Sequence, residues 1–329
     1  MKAIQLQAPG GPEVLALVDL PLPEPGPGMV RVKAHAIGAG GPDVLIRNGT
    51  YKWMPPMPAI PGNEMAGVID ALGAGVQTLA IGQRVLVSAR ELSQRGNCYA
   101  EYICVPDAAP FLLPDSISFD DAVNLGNFQL ALGMLASNGN LPAQSILVPG
   151  AAGGVATALV QVALARGLRV IGTASTEAKR AFALANGASE VIDGNPETLT
   201  AQVMRLTDGR GVDLAFDHIG GKLFIACLRA LAPFGMAVSY NIVSGPPIGD
   251  VFDELRKLLG KSLAVRTFSI HTVDADPVQR RGLMESAIAL MAAGSVRAPQ
   301  ATHFALADAR SVHELLDRGE TLGKMVLHP

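Results

Sequence analysis

Ser145-Ile-Leu-Val-Pro-Gly-Ala-Ala-Gly-Gly-Val-Ala156, with the apolar run behind it and Leu168-Arg-Val-Ile-Gly-Thr-Ala-Ser175 at its end, decides the fold. Ile146, Leu147 and Val148 form the short unbroken apolar run of a parallel strand buried on both faces. Pro149 and Gly150 end it. Gly153 and Gly154 then let the backbone turn tightly, with no Cβ facing whatever lies above. From Val155, apolar residues recur at helical spacing through Leu159, Val162 and Ala163, with Arg166 as the polar stop and Gly167 as the C-terminal break. A second apolar strand follows over 168–172. The unit is strand, glycine turn, helix, strand. Its helix start offers N–H groups and the positive end of a dipole to a pyrophosphate.

The fingerprint is irregular, because Ala151-x-Gly153-x-x-Ala156 has alanine where a dinucleotide motif prefers its first and last glycine. Its setting, after a strand and opening a helix, is what gives a glycine pattern meaning. A tight packing turn is the plain alternative. A membrane span is another, since residues 146–165 carry no charge. Pro-Gly and Gly-Gly in the first half of that run, and a strand directly after it, argue against a span.

The chain has 329 residues, enough for two domains with ample core. Apolar residues make up 49% and charged ones 17%, the balance of a compact protein rather than a disordered one. A net charge of −3 without a basic block gives no reason to expect nucleic acid or an anionic membrane as partner. Met1-Lys-Ala-Ile-Gln-Leu6 alternates like a strand and does not read as a signal peptide. Cys98, Cys104 and Cys227 are odd in number and lack a C-x-x-C pair, so a reducing compartment, the cytoplasm, is expected.

Residues 1–115 read as mostly β. Val30, Val32 and Ala34 alternate with Arg31, Lys33 and His35, and further strands are expected over 2–6, 14–19, 66–72, 84–88 and 99–105. Between them lie turn signals such as Gly38-Ala-Gly-Gly-Pro42. Short strands so spaced suggest a twisted, partly open β-barrel. Ser118 reads as a helix N-cap, with Asp121 near the positive dipole end. From there strands and helices alternate. Strands are expected over 190–192, 212–217, 237–240 and 263–269, and helices over 176–186, 197–207, 222–231, 251–259 and 277–293. This is a doubly wound parallel sheet. Residues 304–327, one short helix and a last strand over 324–327, are too few for a domain and should return to the N-terminal β domain.

These segments resemble the medium-chain dehydrogenase/reductase superfamily, specifically its zinc-free, zeta-crystallin-like quinone oxidoreductase branch. The resemblance covers essentially the whole chain. It is carried by Asp43-Val-Leu-Ile-Arg-Asn-Gly-Thr-Tyr51, Pro61-Gly-Asn-Glu-Met-Ala-Gly-Val68, Gly82-Gln-Arg-Val85, Gly150-Ala-Ala-Gly-Gly-Val155, Val170-Ile-Gly-Thr173, Gly209-Arg-Gly-Val-Asp213 and Gly323-Lys-Met-Val-Leu327. It implies an α/β protein with a GroES-like catalytic domain, residues 1–122 completed by 295–329, and a Rossmann domain over 123–294. It also implies a homodimer. Zinc-dependent members place a histidine before the glutamate of Pro-Gly-x-Glu, where this chain has Asn63, and a four-cysteine lobe is absent from the sequence. None of the six histidines pairs with another at ligand spacing along the chain, so no metal is expected.

The second strand of the dinucleotide unit ends Gly172-Thr-Ala-Ser175, without the carboxylate that holds an NAD ribose. The resemblance aligns Ser175 and Lys179 with residues near a 2′-phosphate, and Arg180 adds charge, so NADPH is the expected cofactor. Glu177 as a displaced ribose ligand, or Lys179 as an ordinary solvated residue, is the competing reading. A family tyrosine after the third strand is Gly194 here. Other implied cofactor contacts are Gly153, Gly154, Val155 and Thr173, then His218 after the fourth strand and Tyr240, Asn241 and Val243 after the fifth. On the substrate side, Tyr51 matches the family's active-site tyrosine, while Gly40 and Gln129 replace a family asparagine and threonine. The expected activity is hydride transfer from NADPH to a quinone or other activated C=C or C=O acceptor. An enoyl thioester reductase or a non-catalytic, crystallin-like NADPH-binding protein are the alternatives.

Overall fold

The computed structural model describes residues 1–137 and 142–329. Contacts divide it into two units, Met1–Gly126 with Met284–Pro329, and Asn127–Leu283. The chain passes from one to the other inside helices, α3 (Leu125–Ala136) and α9 (Pro277–Ala292), rather than between elements.

In the first unit, β1 (Lys2–Gln5) and β2 (Ala16–Asp19) form a small antiparallel pair. The strands β3 (Met29–Ala39), β4 (Glu64–Leu72), β5 (Arg84–Ser88), β6 (Tyr102–Pro106), β7 (Phe111–Leu112), β14 (Ala301–Ala305) and β15 (Lys324–His328) make the main sheet. Its order is β14-β15-β3-β4-β5-β7, with β6 also paired to β3. Along β3, Val30, Val32 and Ala34 are buried while Lys33 and His35 face solvent, as the period-two pattern requires. The C-terminal tail returns as expected. Met325 and Leu327, with Leu306 and Val312, join the core formed by Ile4, Leu6, Val30, Met65 and Val85.

Strand β7 was not expected from the sequence, and two further elements of this unit differ from the sequence reading. Gly38-Ala-Gly-Gly-Pro42 is no simple turn: it starts helix α1 (Gly41–Asn48), with Gly40 as N-cap. Pro42 falls in the first helical turn, where its missing N–H leaves no bond unmade. Strand β14 was not expected, because Ala-Thr-His-Phe-Ala carries little strand signal until β15 offers it a parallel edge. Helix α2 (Phe119–Ala122) does begin at Ser118, whose hydroxyl accepts from the Asp121 N–H at 3.0 Å.

The second unit contains β8 (Ser145–Val148), α4 (Gly154–Ala165), β9 (Arg169–Thr173), α5 (Glu177–Ala185), β10 (Glu190–Ile192), α6 (Leu199–Leu206), β11 (Val212–Asp217), α7 (Gly221–Arg229), β12 (Leu231–Ser239), α8 (Val251–Lys257) and β13 (Ala264–Thr267). All strand pairs are parallel, in the order β10-β9-β8-β11-β12-β13. That is the third-second-first-fourth-fifth-sixth order of a dinucleotide-binding sheet, with its reversal between β8 and β11. The charge-free run is explained by burial within this unit. Residues 156–163 of α4 are all buried, and the helix is about 18 Å long, too short for a bilayer. No described helix is long and apolar enough to cross a membrane. Strand β12 starts well before residue 237 because Pro233 and Gly235 break the apolar pattern without ending the strand.

Candidate active site

The β8–α4 turn is built around glycines that cannot be replaced freely. Gly150 has φ of +61°, and a Cβ there would lie 2.7 Å from Cε1 of His218. Its N–H donates to the Thr173 hydroxyl at 3.2 Å, and the Ala151 N–H donates to the Thr173 carbonyl at 2.9 Å, so β9 holds the turn. Gly153 is the N-cap of α4, exposed, with no side chain capping the helix start. Gly154 and Val155 are half-buried in its first turn. A Cβ on Gly172 would press on the Ala151 methyl at 2.8 Å, so small residues on both elements set the helix–strand spacing.

After β9 the chain runs Ala174-Ser175-Thr176 into α5. Thr173 is buried, and Ser175 is exposed. The Thr176 hydroxyl accepts from the Lys179 N–H at 3.2 Å, which places Lys179 in the first turn of α5, half-buried. Glu177 is exposed, and Arg180 donates to the Ala174 carbonyl at 3.2 Å. Gly194 lies beside this corner, where a Cβ would come 3.1 Å from the Thr173 hydroxyl.

His218, Tyr240 and Val243 come together at the carboxyl ends of β11 and β12. The Tyr240 hydroxyl lies 3.1 Å from Nδ1 of His218. The Tyr240 N–H donates to the Asp217 carbonyl and the Val243 N–H to the His218 carbonyl, both at 3.0 Å. Burial lowers the His218 pKa to about 4, so its ring is neutral and shares a single hydrogen bond with the phenol. Burial, with Asp217 nearby, raises the Tyr240 pKa and keeps that phenol protonated. Asn241 is exposed, with its own Oδ1 accepting from the Ile242 N–H at 2.9 Å, and Val243 is exposed. Gln129, on α3, is buried. Its Nε2 donates to the Arg280 carbonyl at 2.8 Å, and its Oε1 has no partner among the described residues.

In the first unit, helix α1 positions the substrate-side residues. Gly49, with φ of +78°, caps its C-terminus, and the Thr50 and Tyr51 N–H groups both donate to the Leu45 carbonyl, at 3.0 and 3.1 Å. Tyr51 is thereby held directly after the helix, buried, with its ring edge-on to Trp53 at 5.7 Å. At the other end of α1 the Gly40 N–H donates to Asp43 Oδ2 at 2.9 Å, and the Asn63 amide donates to Asp43 Oδ1 at 2.7 Å. Asp43 is buried, and this raises its pKa to about 6 although Asn63 and Lys324 favour the carboxylate. Lys324 is itself paired to Glu64 at 2.7 Å.

Sequence reasoning missed Asp43, Lys324 and the Arg47–His313–Tyr99 chain. Arg47 pairs with Asp317 at 3.0 Å, and Tyr99 Oη lies 3.1 Å from His313 Nε2. In the sequence each falls within a motif, a helix or, for Tyr99, an expected strand. Nothing along the chain announces that they are buried together. Histidines far apart along the chain do meet in space: His303 and His328, on neighbouring strands, have ring nitrogens 3.0 Å apart. All three cysteines are free.

Residues 26–115 match the alcohol dehydrogenase GroES-like domain, and residues 154–286 match the family described as zinc-binding dehydrogenase. The chain is 33% identical to a quinone oxidoreductase of Pseudomonas aeruginosa, over 100% of this chain and 99% of the relative. It is 30% identical to the quinone oxidoreductase of Rattus norvegicus, over 99% and 97%. Among solved structures, Escherichia coli quinone oxidoreductase complexed with NADPH superposes with a TM-score of 0.86 at 28% identity, covering 100% of both chains. The two units, the order of the parallel strands and these matches define a medium-chain dehydrogenase/reductase. Within that superfamily the chain belongs with the quinone oxidoreductase-like proteins.

Proposed function

We propose that the chain is an NADPH-dependent oxidoreductase that passes hydride to a quinone or another activated C=C or C=O acceptor without a catalytic metal. The observation that carries this reading is the pair of adjoining turns after β8 and β9. The first presents an exposed glycine N-cap that a pyrophosphate fits, and the second lacks a ribose-binding carboxylate on its strand but has Ser175 and Lys179. The NADPH named with the Escherichia coli relative supports the same cofactor here.

When bound, the reduced nicotinamide supplies the hydride, and the protein's work is binding and orientation. Gly153, Gly154 and Val155 hold the pyrophosphate end, with Thr173 fixing the turn. Ser175 and Lys179 hold the 2′-phosphate. Neutral His218, Tyr240, Asn241 and Val243 line the cofactor's path at the strand ends, where ligands of such sheets bind. Tyr51 donates a hydrogen bond to the carbonyl oxygen on which charge gathers as hydride adds, a phenol being protonated at neutral pH. Gly40 in the first unit and Gln129 in the second are each assigned to acceptor binding by the family resemblance, and the buried Oε1 of Gln129 has no hydrogen-bond partner among the described residues.

A catalytic zinc does not fit the residues present. Asn63 stands where zinc-dependent relatives carry histidine, and its amide is spent on Asp43, while Gly40 has no side chain to offer. We assign the chain to the cytoplasm, in keeping with its free cysteines, with no nucleic-acid or membrane partner. We infer a homodimer from family membership, with the open edge of strand β13 as a surface that a second copy could pair with. Light scattering that gives the mass of a single chain would remove the dimer.

The test of function is a panel of quinones, alkenals and enoyl thioesters assayed for NADPH oxidation, with and without a chelator. Quinone-dependent oxidation that the chelator leaves unchanged is expected. Turnover with enoyl thioesters alone, no turnover at all, or loss of activity on chelation while the melting temperature is unchanged would each overturn this reading.

A further inference from the structure

Three side chains of the first unit that no part of the proposed reaction uses converge at the end of its sheet. Strands β14 and β15 run parallel, His303 in register with Val326, and His328 lies two residues further along. The two imidazoles stack with centroids 5.3 Å apart, and Nδ1 of His303 lies 3.0 Å from Nε2 of His328. Asp120, in the first turn of α2, turns one carboxylate oxygen to each ring, both at 3.6 Å. Among the described residues this is the one group of three His, Cys, Asp or Glu side chains with ligand atoms so gathered.

We propose that Asp120, His303 and His328 form a binding site for one divalent transition cation of the zinc type. The chemistry of the donors fits: two neutral imidazoles and a carboxylate are a common three-residue set for such ions, leaving one position to water. The spacing fits as well. Ligands about 2.0–2.1 Å from a tetrahedral ion lie roughly 3.3–3.4 Å from one another, between the 3.0 and 3.6 Å found here.

The surroundings orient the ligands as metal sites require. Nδ1–H of His328 donates to the carbonyl of His35 at 3.0 Å, which leaves Nε2 as the lone-pair nitrogen facing the cluster. Without an ion, His303 Nδ1–H donates to that nitrogen, and ligation through Nδ1 requires the other neutral tautomer of His303, with its proton on Nε2. Asp120 is held through its neighbours. Phe119 stacks on the His35 ring at 4.6 Å and carries the Arg84 guanidinium on its ring at 4.1 Å, and the Asp120 carbonyl accepts from the Asn124 amide at 3.1 Å. The ligands remain partly exposed, His303 by 52%, so an ion can enter from solvent. The site shares no residue with Asn63 or Tyr51. Its role is to tie helix α2 to the C-terminal strands, not to activate a substrate.

The experiment is titration of tag-free, chelator-treated and desalted protein with Co²⁺ at neutral pH, followed by displacement with Zn²⁺. One Co²⁺ per chain is expected, with visible absorption bands of a four- or five-coordinate ion that Zn²⁺ abolishes, and a melting temperature that rises with added Zn²⁺. His303→Gln and His328→Gln should each weaken binding at least tenfold, and Asp120→Asn, which preserves shape, several-fold. His271→Gln, in the other unit, should leave binding unchanged. Absence of Co²⁺ binding, or equal affinity in the wild type and in His303→Gln, would overturn the proposal. Neither outcome bears on NADPH oxidation, so the two readings fail separately.

Discussion

The phenolic oxygen of Tyr240 lies 3.1 Å from Nδ1 of His218, joining the carboxyl ends of the fourth and fifth strands of the parallel sheet. The same imidazole stands over Gly150 at the end of the first strand, close enough that a Cβ there would strike it. One neutral ring thus connects three strand ends at the point where a dinucleotide is expected.

That contact makes Gly150→Ala informative. The left-handed backbone costs an alanine roughly 1–2 kcal/mol, and the new methyl must also displace His218. Melting temperature and NADPH affinity should both fall. Gly153→Ala differs, because its φ is −73° and its Cβ meets only ordinary contacts at 3.4 Å and beyond. It should leave the melting temperature nearly unchanged and weaken NADPH binding alone, as measured by cofactor fluorescence. Equal, unaltered affinity in both variants would remove the turn from the cofactor site.

Lys179→Ala separates recognition of the 2′-phosphate from support of helix α5. The helix keeps its Thr176 cap in the variant, since that bond uses the backbone N–H. NADPH binding should weaken by roughly 1.5–3 kcal/mol, the worth of a charge-assisted hydrogen bond, with NADH binding almost unchanged. Equal weakening of both cofactors, by calorimetry, would make the role of Lys179 structural.

Tyr51→Phe keeps the ring against Trp53 and deletes the hydroxyl. If the phenol stabilises the developing oxyanion, kcat on the best acceptor should fall roughly tenfold or more, with NADPH affinity unchanged. Full activity in this variant would leave Tyr51 as a packing residue and water as the proton source.

Stability should decline in mild acid. Burial holds His218 and His313 near pKa 4 in the folded chain, against about 6.5 when unfolded. Between those values the unfolded chain binds protons that the folded chain refuses, so stability falls as pH drops from about 6.5 to about 4. His313, fully buried, accounts for at most about 3 kcal/mol of this. Asp43 acts oppositely, its pKa raised to about 6, and Asp217 is raised as well, so the net loss is smaller than the histidines alone would give. Melting curves across this window should show the decline, and His313→Gln should make it shallower. A flat profile in the wild type would contradict the burial argument.

The alternation of strands and helices in 145–267, the glycine turn and the missing ribose carboxylate could all be read from the sequence, because each signal is local. Apolar period, turn chemistry and capping act within a few residues, and the parallel order follows from them with little freedom. Helix α1 escaped notice for the same reason. Gly-Gly-Pro is locally ambiguous, and only the cap that Asp43 gives Gly40 resolves it as a helix start. What the tertiary structure alone decided is which side chains share a dry or crowded space. Asp43 and Asn63 meet across 20 residues, Arg47 and Asp317 across 270, and His328 and the His35 carbonyl across 293. Burial, pKa and ligand geometry depend on such meetings. They are fixed by which strands β3 gathers, β4 on one side and the returning C-terminal strand β15 on the other, and no local pattern encodes them.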